Sequence, residues 1–70
     1  MIDENLIYIY IGSKIKDFRD KADLTQESLA EAIGVSRASI ANYESGKQSI
    51  YISDLYKIAD ALNIEIKELL

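Results

Sequence analysis

Two short helical patterns stand on either side of a glycine in the stretch TQESLAEAIGVSRASIANYESG, Thr25 to Gly46. Thr25 and Ser36 each precede an amphipathic segment, and their hydroxyls can accept hydrogen bonds from the free N–H groups of the following turn. Gly34 and Gly46 follow those segments, where a left-handed residue commonly ends a helix. The stretch therefore predicts two short helices joined by a three-residue turn, with axes that cross steeply rather than run antiparallel.

The apolar residues of this stretch lie where two crossing helices would bury them. They are Leu29, Ala30, Ile33, Val35, Ile40 and Tyr43. Their spacing is typical of helices with one buried face. Small Ala30 allows a close contact between the helices, and Val35 fills the angle between them.

The segment before this stretch has two interpretations. Four of its apolar residues recur at helical spacing, namely Ile7, Ile11, Ile15 and Phe18. This spacing favours a first helix from about Tyr8 to Ala22. The alternative is an N-terminal strand over LIYIYI, Leu6 to Ile11, because β-branched and aromatic residues are enriched in strands.

The segment after Gly46 predicts a fourth helix and a final short turn. The apolar face of the helix consists of Ile52, Leu55, Ile58, Ala59 and Leu62. Either Ser49 or Ser53 can cap its start. The ending IEIKELL adds Ile66 and Leu69 to the core. The expected fold is therefore all-α, a compact bundle of four to five short helices in a single domain, residues 1–70, with the central two-helix unit at about 25–46.

Composition excludes several classes of function. The 70 residues contain no cysteine and no histidine, so the usual ligands of a structural zinc and the commonest general base are missing. The three glycines are isolated and do not form a phosphate-binding loop. No apolar run approaches the roughly 20 residues of a membrane helix. We therefore expect no enzyme activity, no metal, no cofactor, no small-molecule ligand and no membrane partner.

The sequence resembles the helix-turn-helix family of phage repressors and the related Cro-like and xenobiotic-response-element regulators. The resemblance is carried by IGSKIKDFRDKADLTQESLAEAIGVSRASIANYESGKQS together with LYKIADALNIEIKELL, and covers nearly the whole chain. It implies a lambda-repressor-like DNA-binding domain that reads the major groove of double-stranded DNA with helix 3, at about residues 36–45. We expect a cytoplasmic transcriptional regulator, nucleoid-associated when bound to DNA, that acts as a repressor or as a self-regulating controller of a phage, plasmid or restriction–modification locus.

The resemblance also implies which residues contact bases. They are Ser36, Arg37, Ala38 and Asn42. The guanidinium fork of Arg37 matches guanine O6 and N7, the amide of Asn42 matches adenine N6 and N7, and Ala38 can touch a thymine methyl group. The alternative is that Arg37 and Asn42 belong to an ordinary solvated helix face.

A second group is implied to contact phosphates. It consists of Arg19, Gln26, Ser39, Ser45, Lys47, Gln48 and Ser49. Gln26 stands at the start of helix 2, where its side chain and nearby N–H groups can hold a phosphate, and the loop after helix 3 suits the opposite strand. The alternative is that Gln26 and the loop are simply polar. In the family, an arginine late in helix 1 pairs with a glutamate late in helix 3, which are Arg19 and Glu44 here; otherwise these are two unrelated surface charges.

The formal net charge of −4 argues against a DNA partner unless the acids lie away from the reading surface. From Ser36 to Ile50 the only acid is Glu44, against Arg37 and Lys47. The reading surface can therefore be neutral to positive, and salt screens the remaining acids beyond about 8–10 Å.

The chain departs from the family pattern after Lys47, where QSIYIS replaces further basic residues and a proline. This segment and LIYIYI hold more apolar residues than one small core needs. We expect a homodimer, formed through the ends of helix 1 or the last two helices, that reads a palindromic operator with half-sites about one helical turn apart. The alternative function is a protein-interaction module, such as an antitoxin, with DNA binding secondary.

Overall fold

The computed structural model describes residues 3–70, so the first two residues of the expected domain lie outside it. Within that range the chain forms α1 (Glu4–Lys21), α2 (Gln26–Ile33), α3 (Arg37–Ser45), α4 (Ile52–Ala61) and a terminal 3₁₀ turn (Ile66–Leu69). These described residues contain no strand, which confirms the all-α fold and excludes the strand alternative for LIYIYI. Both α1 and α2 pack against α3, α2 also packs against α4, and the terminal turn closes on α1 and α4.

Helix α1 begins four residues earlier than the sequence pattern predicts, at Glu4 instead of Tyr8. The reason is the N-cap Asp3, whose carboxylate accepts a hydrogen bond from the backbone N–H of Asn5 at 2.9 Å. A local cap thus overrides the strand propensity of the residues that follow. Because the helix extends beyond the core here, Ile7 remains 41% exposed although it shares the spacing of the buried residues.

The caps predicted for α2 and α3 are confirmed. The hydroxyls of Thr25 and Ser36 each accept a hydrogen bond from the backbone N–H three residues along, at 3.0 and 3.1 Å. Gly34 and Gly46 end these helices with φ of 77° and 76°. At this angle a residue with a side chain is strained, so glycine lets the chain turn sharply into α3 and into the loop after it.

The start of α4 corrects two expectations. Neither Ser49 nor Ser53 caps the helix; Tyr51 occupies the N-cap and makes no side-chain hydrogen bond there. The partly buried Ile50 packs against the core just before the helix. This apolar contact, and not a polar cap, holds the start of α4 in place. Ile52, expected on the apolar face, is 63% exposed. The rest of that face is buried as predicted, at Leu55, Ile58, Ala59 and Leu62.

One core runs through all the elements. Its buried apolar residues are Ile11, Ile15, Leu29, Ala30, Ile33, Ile40, Tyr43, Leu55, Ile58, Ala59, Leu62 and Leu69. The crossing of α1 over α3 is especially close, because Gly12 lies directly on the backbone of Tyr43 and Glu44. This contact holds α3 by its buried side and leaves the opposite side free. None of the described helices combines the length and apolar composition needed to span a bilayer.

Candidate nucleic-acid interface

The first turn of α3 is presented on the surface. Arg37 and Ala38 are exposed there, whereas Asn42 is half-buried one turn further along. Ala38 and Asn42 are four residues apart and so share one face of the helix. Ser36 caps the helix, and its hydroxyl lies 3.0 Å from that of Ser39. The structure therefore places Ser36, Arg37 and Ala38 at the start of α3 and Asn42 one turn further along, and the Ser36 hydroxyl is already engaged in capping.

Arg37 is held from the neighbouring helix. Its Nη1 donates a hydrogen bond to Oε1 of Gln26, the first residue of α2, at 3.0 Å. A guanidinium has five N–H donors, so this contact leaves donors of Arg37 available for a base. The sequence pattern placed Gln26 against a phosphate and did not foresee Arg37 as its partner, since the two residues lie in different helices.

The amide of Gln26 has a second partner on its other side. Its Nε2 donates to Oε1 of Glu44 at 3.0 Å. The side chain of Gln26 therefore bridges the exposed first turn of α3 and the buried last turn of the same helix. The second N–H of the amide takes no part in these two bonds and remains available as a donor. The phosphate contact expected of Gln26 stays a prediction.

Arg19 and Glu44 form a bidentate ion pair beneath the side chain of Gln26. The Nε–Oε2 distance is 2.6 Å, the Nη2–Oε1 distance is 3.1 Å, and both residues are only 8% exposed. Nη1 of Arg19 also donates to the carbonyl of Leu24 at 2.7 Å and lies 3.2 Å from Asp20. Hydrogen bonding to Glu44 raises the pKa of Arg19 against the opposing effect of burial. Arg19 thus directs its donors inward, and its predicted phosphate contact stays a prediction.

This ion pair changes the charge of the surface around α3. Glu44 is the only acid between residues 36 and 50, and it is both buried and neutralised by Arg19. Arg37 and Lys47 are exposed in the same segment. The surface formed by this segment therefore carries positive charge although the whole chain is acidic.

The loop after α3 rests on α1 and faces outward. Gly46 packs so closely on Ile9 that a Cβ there would lie 2.7 Å from the Cα of Ile9. The backbone N–H of Lys47 donates to the carbonyl of Asn42 at 3.0 Å, and the hydroxyl of Ser45 shares that acceptor at 3.3 Å. Three residues predicted to contact phosphates are exposed in this loop, namely Lys47, Gln48 and Ser49.

Tyr43 ties α3 to α4, a link that sequence analysis missed. Its hydroxyl donates a 2.7 Å hydrogen bond to the carboxylate of Asp54. Burial, and after it the hydrogen bond to Asp54, raises the pKa of Tyr43 to about 12. The sequence carries no signal for this pair, because Tyr43 follows the apolar pattern and Asp54 reads as a first-turn acid of α4.

Among the described residues, no three potential metal-ligating side chains lie close together. The outward face of α3, Gln26 at the start of α2 and the exposed loop after α3 together form a polar surface.

Comparison with known proteins identifies the class. The helix-turn-helix family model matches residues 15–69, and the chain belongs to this family. It is a DNA-binding transcriptional regulator, as the family resemblance implied. The control protein C.MunI of a Mycoplasma species is 39% identical over 66 residues, which cover 93% of this chain and 89% of that protein. The cryptic phage CTXphi transcriptional repressor RstR of Vibrio cholerae is 40% identical over 58 residues, 83% of this chain but 52% of the repressor.

Solved structures agree with this assignment. The restriction-modification controller protein C.AhdI from Aeromonas hydrophila matches with a TM-score of 0.94 at 29% identity, over 99% of this chain and 100% of that one. The master regulator for biofilm formation SinR, solved in complex with DNA, matches with a TM-score of 0.79 at 28% identity, over 84% of this chain and 95% of that one. The expectation of a lambda-repressor-like helical fold is therefore confirmed.

Proposed function

We propose that this protein is a repressor that binds a palindromic operator as a homodimer, with α3 in the major groove of double-stranded DNA. The observation that carries the proposal is the position of Arg37, which is exposed on the first turn of α3 and supported by Gln26. The opposite side of α3 is anchored in the core by Ile40 and Tyr43. A recognition helix needs this combination of a rigid inner side and a polar outer side.

The base contacts follow from the chemistry of the outer side. Arg37 donates in a fork to guanine O6 and N7, and the amide of Asn42 pairs with an adenine. Ala38 lies beside Asn42 on the same face and contacts a thymine methyl group. Ser36 joins them at the start of the helix, where its main role is to cap α3.

The phosphate contacts come from two places on either side of α3. Gln26 and the free N–H groups at the start of α2 bind the phosphate backbone of one DNA strand, and the loop after α3 binds that of the opposite strand. These two places contribute Gln26, Ser45, Lys47, Gln48 and Ser49. Two further contacts are proposed outside them, from Ser39 on α3 and from Arg19 beneath Gln26. Lys47 is the exposed cation of the loop, so we expect it to supply much of the salt dependence of binding.

An apolar surface on α4 supports the homodimer. We call it the α4 patch: Tyr51, Ile52 and Tyr56, which are 72%, 63% and 59% exposed. Ile52 and Tyr56 are one turn apart and so form a continuous strip beside Tyr51. Adjacent exposed apolar residues of this size mark contact surfaces between proteins. Two copies joined through α4 would supply one α3 helix for each half of a palindromic operator.

The similarity to a control protein and to a restriction-modification controller suggests the biological setting. We propose that the operator lies at a restriction–modification or phage locus and that the protein regulates its own gene. It would work in the cytoplasm, at the nucleoid when bound to DNA.

Selection from a random duplex library at fixed, near-physiological salt tests the function. An enriched palindrome with half-sites about one helical turn, roughly 10 base pairs, apart is the expected result. An enriched single half-site would support base recognition by α3 and contradict binding as a homodimer. No enrichment at any salt concentration would refute the DNA-binding function.

A charge in the α4 patch tests the dimer separately. Ile52→Lys should convert the dimer to a monomer in sedimentation equilibrium, whereas the matched change Leu6→Lys at the equally exposed start of α1 should not. If Leu6→Lys dissociates the dimer and Ile52→Lys does not, the interface lies on α1 instead of on the α4 patch.

A protein-interaction module, such as an antitoxin, is the second candidate. It is favoured by another exposed apolar group at the start of α1, formed by Leu6, Ile9 and Tyr10. Stable 1:1 binding of a purified protein partner, together with DNA binding that hardly changes with salt, would favour this function over the first.

A further inference from the structure

A hydrogen bond joins the end of α3 to the start of α4, the helix that carries the α4 patch. The hydroxyl of Tyr43, in the last turn of α3, donates to the carboxylate of Asp54, in the first turn of α4, at 2.7 Å. Within residues 3–70 it is the one side-chain hydrogen bond between α4 and another helix. Asp54 follows Ile52 by two residues, so the bond reaches α4 where the α4 patch begins.

The two helices have little other direct packing. Helix α3 packs against α1 and α2, whereas α4 packs against α2 and the terminal 3₁₀ turn. A mostly exposed loop, residues 46–51, connects α3 to α4 along the chain. Exposed loops with few buried contacts constrain the elements that they join only weakly. The bond between Tyr43 and Asp54 is therefore the direct constraint on the angle between α3 and α4.

The groups at both ends of this bond are held in place. Tyr43 is 3% exposed, and Gly12 of α1 lies directly on its backbone, so the phenol ring cannot shift without disturbing α1. Asp54 precedes Leu55, which is 2% exposed and holds α4 in the core. A hydrogen bond to an ionised carboxylate is also stronger than one between two neutral groups. The bond can therefore stiffen the joint between the two helices.

The angle between α3 and α4 matters because a homodimer has two-fold symmetry. If two copies meet through the α4 patch, the separation of the two α3 helices depends on how each α3 is set against its own α4. One base pair added between the half-sites moves them apart by about 3.4 Å. It also turns one half-site relative to the other by about 34–36°. A rigid angle between the helices therefore fits one spacing, and a loose angle fits several.

We propose that Tyr43 and Asp54 are positioning residues that determine which half-site spacing the homodimer binds. The proposal rests on the proposed function, because it requires a dimer through α4 and base recognition by α3. Tyr43 is buried and acts through the direction of α3. The bases within each half-site are chosen by other residues, Arg37 and Asn42 on the outer side of the helix.

A purely structural role for this bond predicts different measurements from a positioning role. A loss of stability lowers the fraction of folded protein, so it weakens binding to every duplex by the same factor. A positioning role changes the ratio of affinities between two spacings and leaves the base preference within a half-site unchanged. The ratio between spacings is therefore the decisive quantity.

Substitutions at each end of the bond supply the test. Tyr43→Phe removes the hydroxyl and keeps the ring in the core, Asp54→Ala removes the acceptor, and Asp54→Asn keeps an acceptor oxygen. Fluorescence anisotropy measures binding to the selected operator and to duplexes with one base pair added or removed between the half-sites, at one fixed salt concentration. Tyr8→Phe, at a half-buried tyrosine of α1, and Asp60→Ala, at an exposed acid of α4, are the matched controls.

We expect Tyr43→Phe and Asp54→Ala each to reduce the preference for the selected spacing by about two- to tenfold, the range that loss of one hydrogen bond produces. Asp54→Asn should retain most of the preference, and both controls should match the wild type. Preference among single half-site duplexes that differ by one base should be the same in every variant. If circular dichroism shows that Tyr43→Phe lacks native helix content, Asp54→Ala decides the matter.

An unchanged ratio between spacings in Tyr43→Phe, with or without equal weakening of all duplexes, would overturn the positioning role and leave the proposed function standing. The same loss of preference in Asp60→Ala would assign the effect to the charge of α4 and would also overturn it. A wild-type protein that binds all spacings of a palindrome alike would contradict the positioning role alone. If the wild type binds a palindrome no better than a single half-site, the homodimer of the proposed function is wrong as well.

Discussion

A β-carbon on Gly12 would lie 2.8 Å from the carbonyl carbon of Glu44, so helix α1 crosses α3 with backbone against backbone. The same crossing places Arg19, two turns further along α1, against the carboxylate of Glu44. The close approach at one residue thus makes the ion pair possible at the other, and the ion pair in turn supports the side chains at the exposed start of α3.

Gly12→Ala is therefore expected to be strongly destabilising. Alanine favours a helix interior over glycine by about 1 kcal/mol, but here it would collide with backbone atoms that cannot move independently of α3. Overpacking costs about 1–3 kcal/mol, and we expect a net loss of unfolding free energy toward the upper end of that range. Urea denaturation measures it. Ser13→Ala, at the exposed neighbouring position, should differ little from the wild type; an equal loss there would contradict the steric explanation.

Removing one member of the buried ion pair should cost more than removing both. Glu44→Leu leaves Arg19 without its main partner, for which about 3 kcal/mol is expected. The double variant Arg19→Met with Glu44→Leu should recover most of that loss, because no uncompensated charge remains. Urea denaturation at neutral pH compares the two variants. If the double variant is as unstable as Glu44→Leu, the ion pair does not account for the loss.

The exposed ion pair on α1 supplies a control for this comparison. Lys16 and Asp20 are 2.9 Å apart, with side chains 55% and 53% exposed. Lys16→Ala should change the stability by less than about 1 kcal/mol, since solvent screens such pairs.

The stability of the protein should fall as the pH rises from about 10 to about 12. Burial and the bond to Asp54 together raise the pKa of Tyr43 from 10.0 to about 12, with burial the larger cause. In that range the unfolded chain has released the phenolic proton and the folded chain still holds it, so unfolding is favoured as the pH increases. Urea titrations at several alkaline pH values should show a weaker fall for Tyr43→Phe. Tyr56→Phe, in the exposed α4 patch, should keep the wild-type dependence; a fall unchanged by Tyr43→Phe would contradict the assignment.

Lys47→Ala should weaken the binding of all duplexes alike. Lys47 is exposed in the loop after α3, where one lost phosphate contact lowers the salt slope by about one unit. Binding to the operator and to an unrelated duplex, each at several salt concentrations, provides the measurement. Lys57→Ala, an exposed change on α4, should leave the slope unaltered. A loss confined to the operator would show that Lys47 reads sequence instead.

Local signals predicted the central unit well and the ends of the chain poorly. Thr25, Ser36 and the glycines that follow each helix act within one turn, so their roles can be read directly from their positions. At α4 the same reasoning predicts a serine cap, but the helix begins after Tyr51, where Ile50 packs against the core. At α1 the apolar spacing predicts a start near Tyr8, whereas the cap Asp3 starts the helix one turn earlier.

The helical class and the two-helix unit could be predicted from the sequence, because caps, helix stops and apolar spacing depend on residues within a few positions of one another. The resemblance to helix-turn-helix regulators predicted the family and indicated Arg19 and Glu44 as partners. The contacts of Gln26 with Glu44, 18 residues away, and with Arg37, 11 residues away, are seen only in the folded chain. No local pattern encodes such contacts, since they arise where three separately formed helices pack together and bring their polar side chains within hydrogen-bonding distance.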